Sequence, residues 1–125
     1  MWAEKYVGTS YAQFNCAEIA QYALAREFDY DLLLPQIPRS DADMHRSILK
    51  HRKTYQLTEN PHDGAIVIMR LNGRMCHIGI FCMTSPNIKH SYVLHAMQSM
   101  GQTILTRVCD LKKHAIKIME FRNWQ

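Results

Sequence analysis

Residues Ala65-Ile66-Val67-Ile68-Met69-Arg70-Leu71-Asn72-Gly73-Arg74-Met75-Cys76-His77-Ile78-Gly79-Ile80-Phe81-Cys82 decide the fold. Two runs rich in β-branched residues flank Asn72-Gly73, the dipeptide that best suits a type I′ turn because both central residues must adopt positive φ. The stretch predicts an antiparallel hairpin, Ala65 to Leu71 and Arg74 to Cys82. Downstream, strands are expected at about Tyr92 to Met97, Gln102 to Val108 and Ile116 to Phe121, separated by the turn signals Ser85-Pro86-Asn87 and Ser99-Met100-Gly101. Upstream the period is helical. A helix is expected from about Asn15 to Phe28, and the prolines of Leu32-Leu33-Leu34-Pro35-Gln36-Ile37-Pro38 forbid its continuation. Ser40 with Asp43 three residues later marks a second helix start, with Met44 and Ile48 as its buried stripe up to about Arg52. Helices first and a meander second make an α+β domain: N-terminal helices packed on an antiparallel sheet of about five strands.

The 125 residues correspond to one domain, 1–125, and at 47% hydrophobic they can bury a core. No run approaches the roughly eighteen apolar residues of a membrane span, so no membrane span is expected. Met1-Trp2-Ala3-Glu4-Lys5 lacks the pattern of a secretory signal, so synthesis in the cytoplasm without a signal peptide is expected. The four cysteines form no C-x-x-C pair, and the histidines lack metal-motif spacing apart from the adjacent Cys76-His77. Reduced thiols, no metal and no cofactor are therefore expected. The net charge of +4 and pI near 9.0 suit an acidic partner. The local excess, His45-Arg46 and Lys50-His51-Arg52-Lys53, reads as a solvated helix end facing the negative pole of the dipole. Without interleaved aromatics it is no platform for stacked bases, and no nucleic-acid partner is expected.

Phe14-Asn15-Cys16-Ala17-Glu18-Ile19 carries the chemistry. Asn15 is a favoured N-cap, Glu18 is placed for a capping box, and Phe14 and Ile19 occupy the positions of a hydrophobic staple. Cys16 therefore falls on the first turn, where unpaired N–H groups favour a thiolate and thiol pKa values drop. Cys16, Ile19, Ala20 and Ala23 also share one face, which equally describes a buried structural cysteine. His77 opens an alternating strand with Gly79 and Phe81 on its own face. The glycine there is expected to leave room for the helix that carries the cysteine. His95, in Val93-Leu94-His95-Ala96, repeats the situation on the next strand. A thiol hydrolase needs a sulfur that attacks a carbonyl, an imidazole that takes and returns a proton, and a polar group that fixes the imidazole's tautomer. Cys16, His77 and His95 supply those types, with oxyanion stabilisation expected from N–H groups near the helix start, including that of Cys16.

With Lys5-Tyr6-Val7-Gly8-Thr9-Ser10-Tyr11, Phe14-Asn15-Cys16, Pro61-His62-Asp63-Gly64-Ala65-Ile66-Val67, Cys76-His77-Ile78-Gly79-Ile80-Phe81, Val93-Leu94-His95-Ala96 and Phe121-Arg122 in this order, the chain resembles the NlpC-type cell-wall cysteine peptidases over nearly its whole length except about residues 30–60. The resemblance implies a papain-like fold with Cys16 as nucleophile, His77 as base and His95 as orienter. It also implies cleavage of peptidoglycan stem peptides, typically between D-γ-glutamate and a diamino acid. Tyr11 matches a family tyrosine near the nucleophile, which implies a part in substrate binding or in stabilising the intermediate. The sequence departs from the pattern at Asn15, where aspartate is usual, at Ala17-Glu18 in place of Ser-Gly, and at Gly64-Ala65 in place of Gly-Asp. These changes fall where specificity resides and leave the triad positions intact.

Lacking an export signal and a wall-binding module, the chain resembles a stand-alone catalytic domain delivered to the cell envelope by a phage tail or a contact-dependent secretion apparatus, with an immunity protein as a further partner. Two other readings compete. Acyl transfer or deamidation within the same superfamily is echoed loosely by Asn15-Cys16-Ala17-Glu18, although relatives of lecithin:retinol acyltransferase place histidine before cysteine. A basic binding or assembly module that kept the fold and lost activity is the other.

Overall fold

The computed structural model describes residues 1–32 and 40–124. Its first α-helix, α1 (Cys16–Phe28), begins with the expected capping box. Asn15 Oδ1 accepts from the Glu18 backbone N–H at 3.0 Å, and Glu18 Oε1 accepts from that of Asn15 at 3.2 Å. Such a cap contributes about 1 kcal/mol. The helix ends where Asp29 turns left-handed at φ 52°, a conformation that a short polar side chain tolerates. The second, α2 (Asp41–His51), starts on Ser40, whose hydroxyl accepts from the Asp43 N–H at 3.1 Å, and it buries Met44 and Ile48. Arg52 opens a 3₁₀ turn, Arg52–Thr54, and so lies just past the helix. The expected proline break over residues 33–38 lies outside the described residues. No described helix is long and apolar enough to cross a membrane.

Among the described residues six strands rather than about five form one antiparallel sheet: β1 (Gln56–Thr58), β2 (Ile66–Leu71), β3 (Arg74–Cys82), β4 (Tyr92–Met97), β5 (Gln102–Arg107) and β6 (Ile116–Asn123). Their order is β1-β6-β2-β3-β4-β5. The strand absent from the sequence reading, β1, is three residues at the sheet edge with Gln56 and Leu57 exposed, so it has no burial alternation to read. Strands β2 to β5 form the expected meander. β6 crosses back to pair with β2. Val108 opens a 3₁₀ segment, Val108–His114, instead of closing β5, and β6 runs two residues past Phe121. Asn72 and Gly73 have φ 51° and 81°, the two positive values that the hairpin turn demands.

The sheet is apolar on both faces. On one, Ile66, Ile68, Cys76, Ile78, Ile80, Leu94 and Ala96 pack with Cys16, Ile19, Ala20, Leu24, Met44 and Ile48 from the helices. On the other, Val67, Met69, Phe81, Val93 and Met97 pack with Leu111 and Ile116. The helices thus cover the broad aliphatic surface of the isoleucines, and Gly79 lies on the opposite face. Its room is not taken by α1, as the sequence led one to expect, but by the neighbouring strand. A Cβ there would come within 2.6 Å of Val93 Cγ1, 2.8 Å of the Leu94 carbonyl and 3.1 Å of Met69 Cε. Gly79→Ala is expected to destabilise the fold by roughly 1–3 kcal/mol, as overpacking does. Urea denaturation checks this, and an unchanged midpoint would contradict the close approach.

Candidate functional site

The site lies where two paired strands part. β3 and β4 are in register at Ile80↔Leu94, Phe81↔Val93 and Cys82↔Tyr92 only, although β3 starts at Arg74 and β4 runs on to Met97. Beyond Gly79 the strands diverge and leave a fork in the sheet. At the same level the pairs Met69↔His77 and Arg70↔Met75 leave Cys76 as an extra residue in β3, a bulge of the kind that re-aims side chains beside functional sites. A cleft of about 480 Å³ fills the fork. Its walls come from both faces of the sheet: Cys16, Cys76 and Ala96 from the helix side, His77, Met97 and His114 from the other. A second opening of about 640 Å³, lined by Tyr11, Cys16, Asp41, Arg74 and Gln98 among others, continues it outward.

Cys16 stands at the first position of α1 and lines both spaces while remaining 6% exposed. Its thiol pKa is pushed up to about 11, chiefly by burial. Backbone hydrogen bonds to the sulfur from Ile78 and Ala17 act in the opposite direction. Continuing the β3/β4 register would pair Ile78 with Ala96. With β4 turned away, its N–H serves the sulfur instead. The expectation of a lowered thiol pKa is therefore corrected. A helix start contributes up to about 2 kcal/mol toward an anion, whereas full burial shifts a pKa by up to about 3–5 units against it.

The two histidines form one buried row. His77 Nε2 lies 2.8 Å from His95 Nδ1, and His95 Nε2 lies 2.9 Å from Thr106 Oγ1. Burial lowers the His77 pKa to about 4 and holds that of His95 well below its ordinary value, so both rings are neutral at pH 7. Among the described residues nothing hydrogen-bonds to Nδ1 of His77, and no hydrogen bond joins the Cys16 sulfur to either imidazole. The Cys16 thiol and the His77 imidazole share the cleft as neutral groups.

Tyr11 lines both parts of the cleft, and burial, reinforced by nearby acidic groups including Asp41 and the Cys16 thiol, raises its pKa to about 12. Its hydroxyl therefore stays a donor throughout the physiological range. The sequence reading missed Thr106 and Gln98. Thr106 sits one step along the histidine face, on β5 opposite Val93. Gln98 follows β4 in a short 3₁₀ turn and lines both openings. No spacing signal marks either residue, because each is placed by strand register. All four cysteines are free. Among the described residues no group of three His, Cys, Asp or Glu side chains is placed to hold a metal ion.

No family model, curated protein or solved structure matches the chain.

The buried imidazoles make stability depend on pH. A His77 pKa of about 4 in the folded chain against the ordinary 6.5 means that the unfolded chain binds the extra proton between those values. Stability from this group is present above pH 6.5 and is lost as pH falls toward 4, by roughly 3 kcal/mol. Urea denaturation at pH 7 and pH 4 should show a smaller acid loss for His77→Gln than for the unaltered chain. Equal losses would contradict the buried neutral ring.

Proposed function

We propose that the chain is a thiol amidase or endopeptidase acting on peptidoglycan stem peptides, with Cys16 as nucleophile, His77 as base, His95 as orienter and Tyr11 at the substrate. The observation that carries this reading is the fork. It brings a first-turn sulfur into one cleft with an imidazole whose Nδ1 is unengaged and whose Nε2 is tied to a second ring. The substrate class rests on the ordered resemblance to NlpC-type enzymes, as does action at the cell envelope after delivery.

The chemistry follows from neutral starting groups. As the Cys16 sulfur bonds to the amide carbon, its proton passes to Nδ1 of His77. Charge on either partner is costly alone in this buried site, so proton transfer accompanies attack. The developing oxyanion meets donors that do not have to reorganise. The capping box uses the N–H groups of Asn15 and Glu18, and that of Ile19 bonds to the Asn15 carbonyl at 2.9 Å. Ala17 serves the sulfur. The Cys16 N–H remains for the oxyanion, with the Tyr11 hydroxyl as a second donor. Collapse breaks the C–N bond, and the proton on His77 leaves with the amine. Water then attacks the thioester, gives a proton to His77, and releases the acid as the thiol is restored.

Digestion of purified muropeptides followed by mass analysis tests the proposal. Products that sum to the substrate plus one water identify hydrolysis, whereas a transferred acyl group identifies the transferase reading. Cys16→Ala is expected to abolish turnover with an unchanged thermal transition, and His95→Ala to leave partial activity. Loss of activity and of fold together in both variants would contradict the assignment.

A further inference from the structure

The hydrogen-bonded row that begins at His77 does not end at His95. It passes to Thr106 Oγ1 at 2.9 Å, and Thr106 also lines a second cavity of about 470 Å³ with Tyr92, Arg107, Asp110, Lys113 and His114, the last of which borders the fork as well. The row therefore joins the fork to a second cavity. Two neutral imidazoles carry one N–H each, so the row has only two complete arrangements. In the first, His77 Nε2–H donates to His95 Nδ1, and His95 Nε2–H donates to the Thr106 oxygen. In the second every bond is reversed: Thr106 O–H donates to His95 Nε2, His95 Nδ1–H donates to His77 Nε2, and the His77 proton sits on Nδ1. Only the first leaves a lone pair on Nδ1.

We infer that Thr106 is a positioning residue: its hydroxyl accepts from His95, directs its own proton into the second cavity, and so fixes the row in the direction that presents a bare His77 Nδ1 to Cys16. The hydroxyl makes no other hydrogen bond among the described residues, and the open cavity that it lines leaves its proton free to turn toward solvent. The catalytic consequence rests on the hydrolase reading proposed above, but the direction of the row does not.

Removing the hydroxyl makes the inference specific. In Thr106→Val a proton on His95 Nε2 would be a buried donor without a partner. That is costlier than a buried lone pair, so the proton moves to Nδ1 and both rings invert. Long-range ¹H–¹⁵N NMR of the full chain at pH 7 reads the tautomers directly. The unaltered chain and Thr106→Ser should show His77 protonated on Nε2, and Thr106→Val should show it protonated on Nδ1. In muropeptide turnover, kcat of the valine variant should fall at least tenfold with KM unchanged, and serine should restore it. An unaltered chain with His77 protonated on Nδ1 overturns the inference even if the valine variant does not fold. A valine variant that keeps the original tautomers, or a serine variant that behaves like valine, also overturns it. Inverted tautomers in a protein whose unaltered form hydrolyses nothing would leave the row's direction established and remove the hydrolase reading instead.

Discussion

The parting of β3 from β4 is the constraint on which the rest of the site depends. Gly79 lets the two backbones close tightly on one side of the fork, because a Cβ there would collide with Val93 and the Leu94 carbonyl. Immediately beyond it the register ends, and the bulge at Cys76 turns β3. A continuous ladder would satisfy the backbone of Ile78 within the sheet and keep the two faces apart. The fork instead offers that N–H to the Cys16 sulfur and lets His77, from the face opposite the helices, share a cleft with a residue of α1. Cys16 and His77 thus face one cleft through the sheet, not across its surface.

Burial then decides the electrostatics. The capping box and the helix dipole favour a thiolate, but desolvation acts on the same atom with a larger magnitude and leaves a neutral thiol. Burial also keeps His77 and His95 neutral. A resting thiolate–imidazolium pair is accordingly disfavoured at both of its members. What His77 is hydrogen-bonded to is not a carboxylate but a chain of neutral dipoles. A chain of neutral dipoles has a direction, and the group at its end selects that direction. On the proposed reading, this is how a threonine on β5 would bear on the chemistry at Cys16.

Much of this architecture was legible in the sequence, because it rests on local rules. Asn15 and Glu18 announced the start of α1, Ser40 and Asp43 that of α2, and Asn72-Gly73 fixed the hairpin and hence the phase of every side chain along β3. That His77 and His95 lie on adjacent strands also followed from the meander. What escaped was non-local. The faces of β3 could be read from its alternation, but which face the helices would cover depended on the isoleucines of β2 and β3 acting together. The bulge at Cys76 and the end of the β3/β4 register arise from pairing, for which no single segment carries a signal. The thiol pKa went the other way for the same reason: the helix start is a property of five residues, and burial is a property of the fold. β1 was missed because three edge residues, none of them buried, have no periodicity.

The segment around α2 is structural wall more than detachable cover. His45 donates from Nδ1 to the Met75 carbonyl at 2.9 Å, which ties the helix to β3 beside the bulge. Arg52 bonds to Glu120 at 2.8 Å, Glu120 also accepts from Arg122 at 2.6 Å, and Arg122 reaches back to the Tyr55 carbonyl at 2.9 Å. These partly buried, charge-assisted bonds lock the end of α2 to β6, which is itself paired on both sides, with β1 and β2. Met44 and Ile48 add apolar anchorage to the same face as Cys16. Tied at His45 and at Arg52, α2 places Ser40, Asp41 and Met44 along the outer opening of the cleft. The basic residues near its C-terminus accordingly divide by position: Arg52 is consumed in this lock, while Lys50 and Lys53 stay in solvent. With this side tied to β3 and β6, the open part of the sheet lies where β3 and β4 have parted, at the cleft lined by Cys16 and His77.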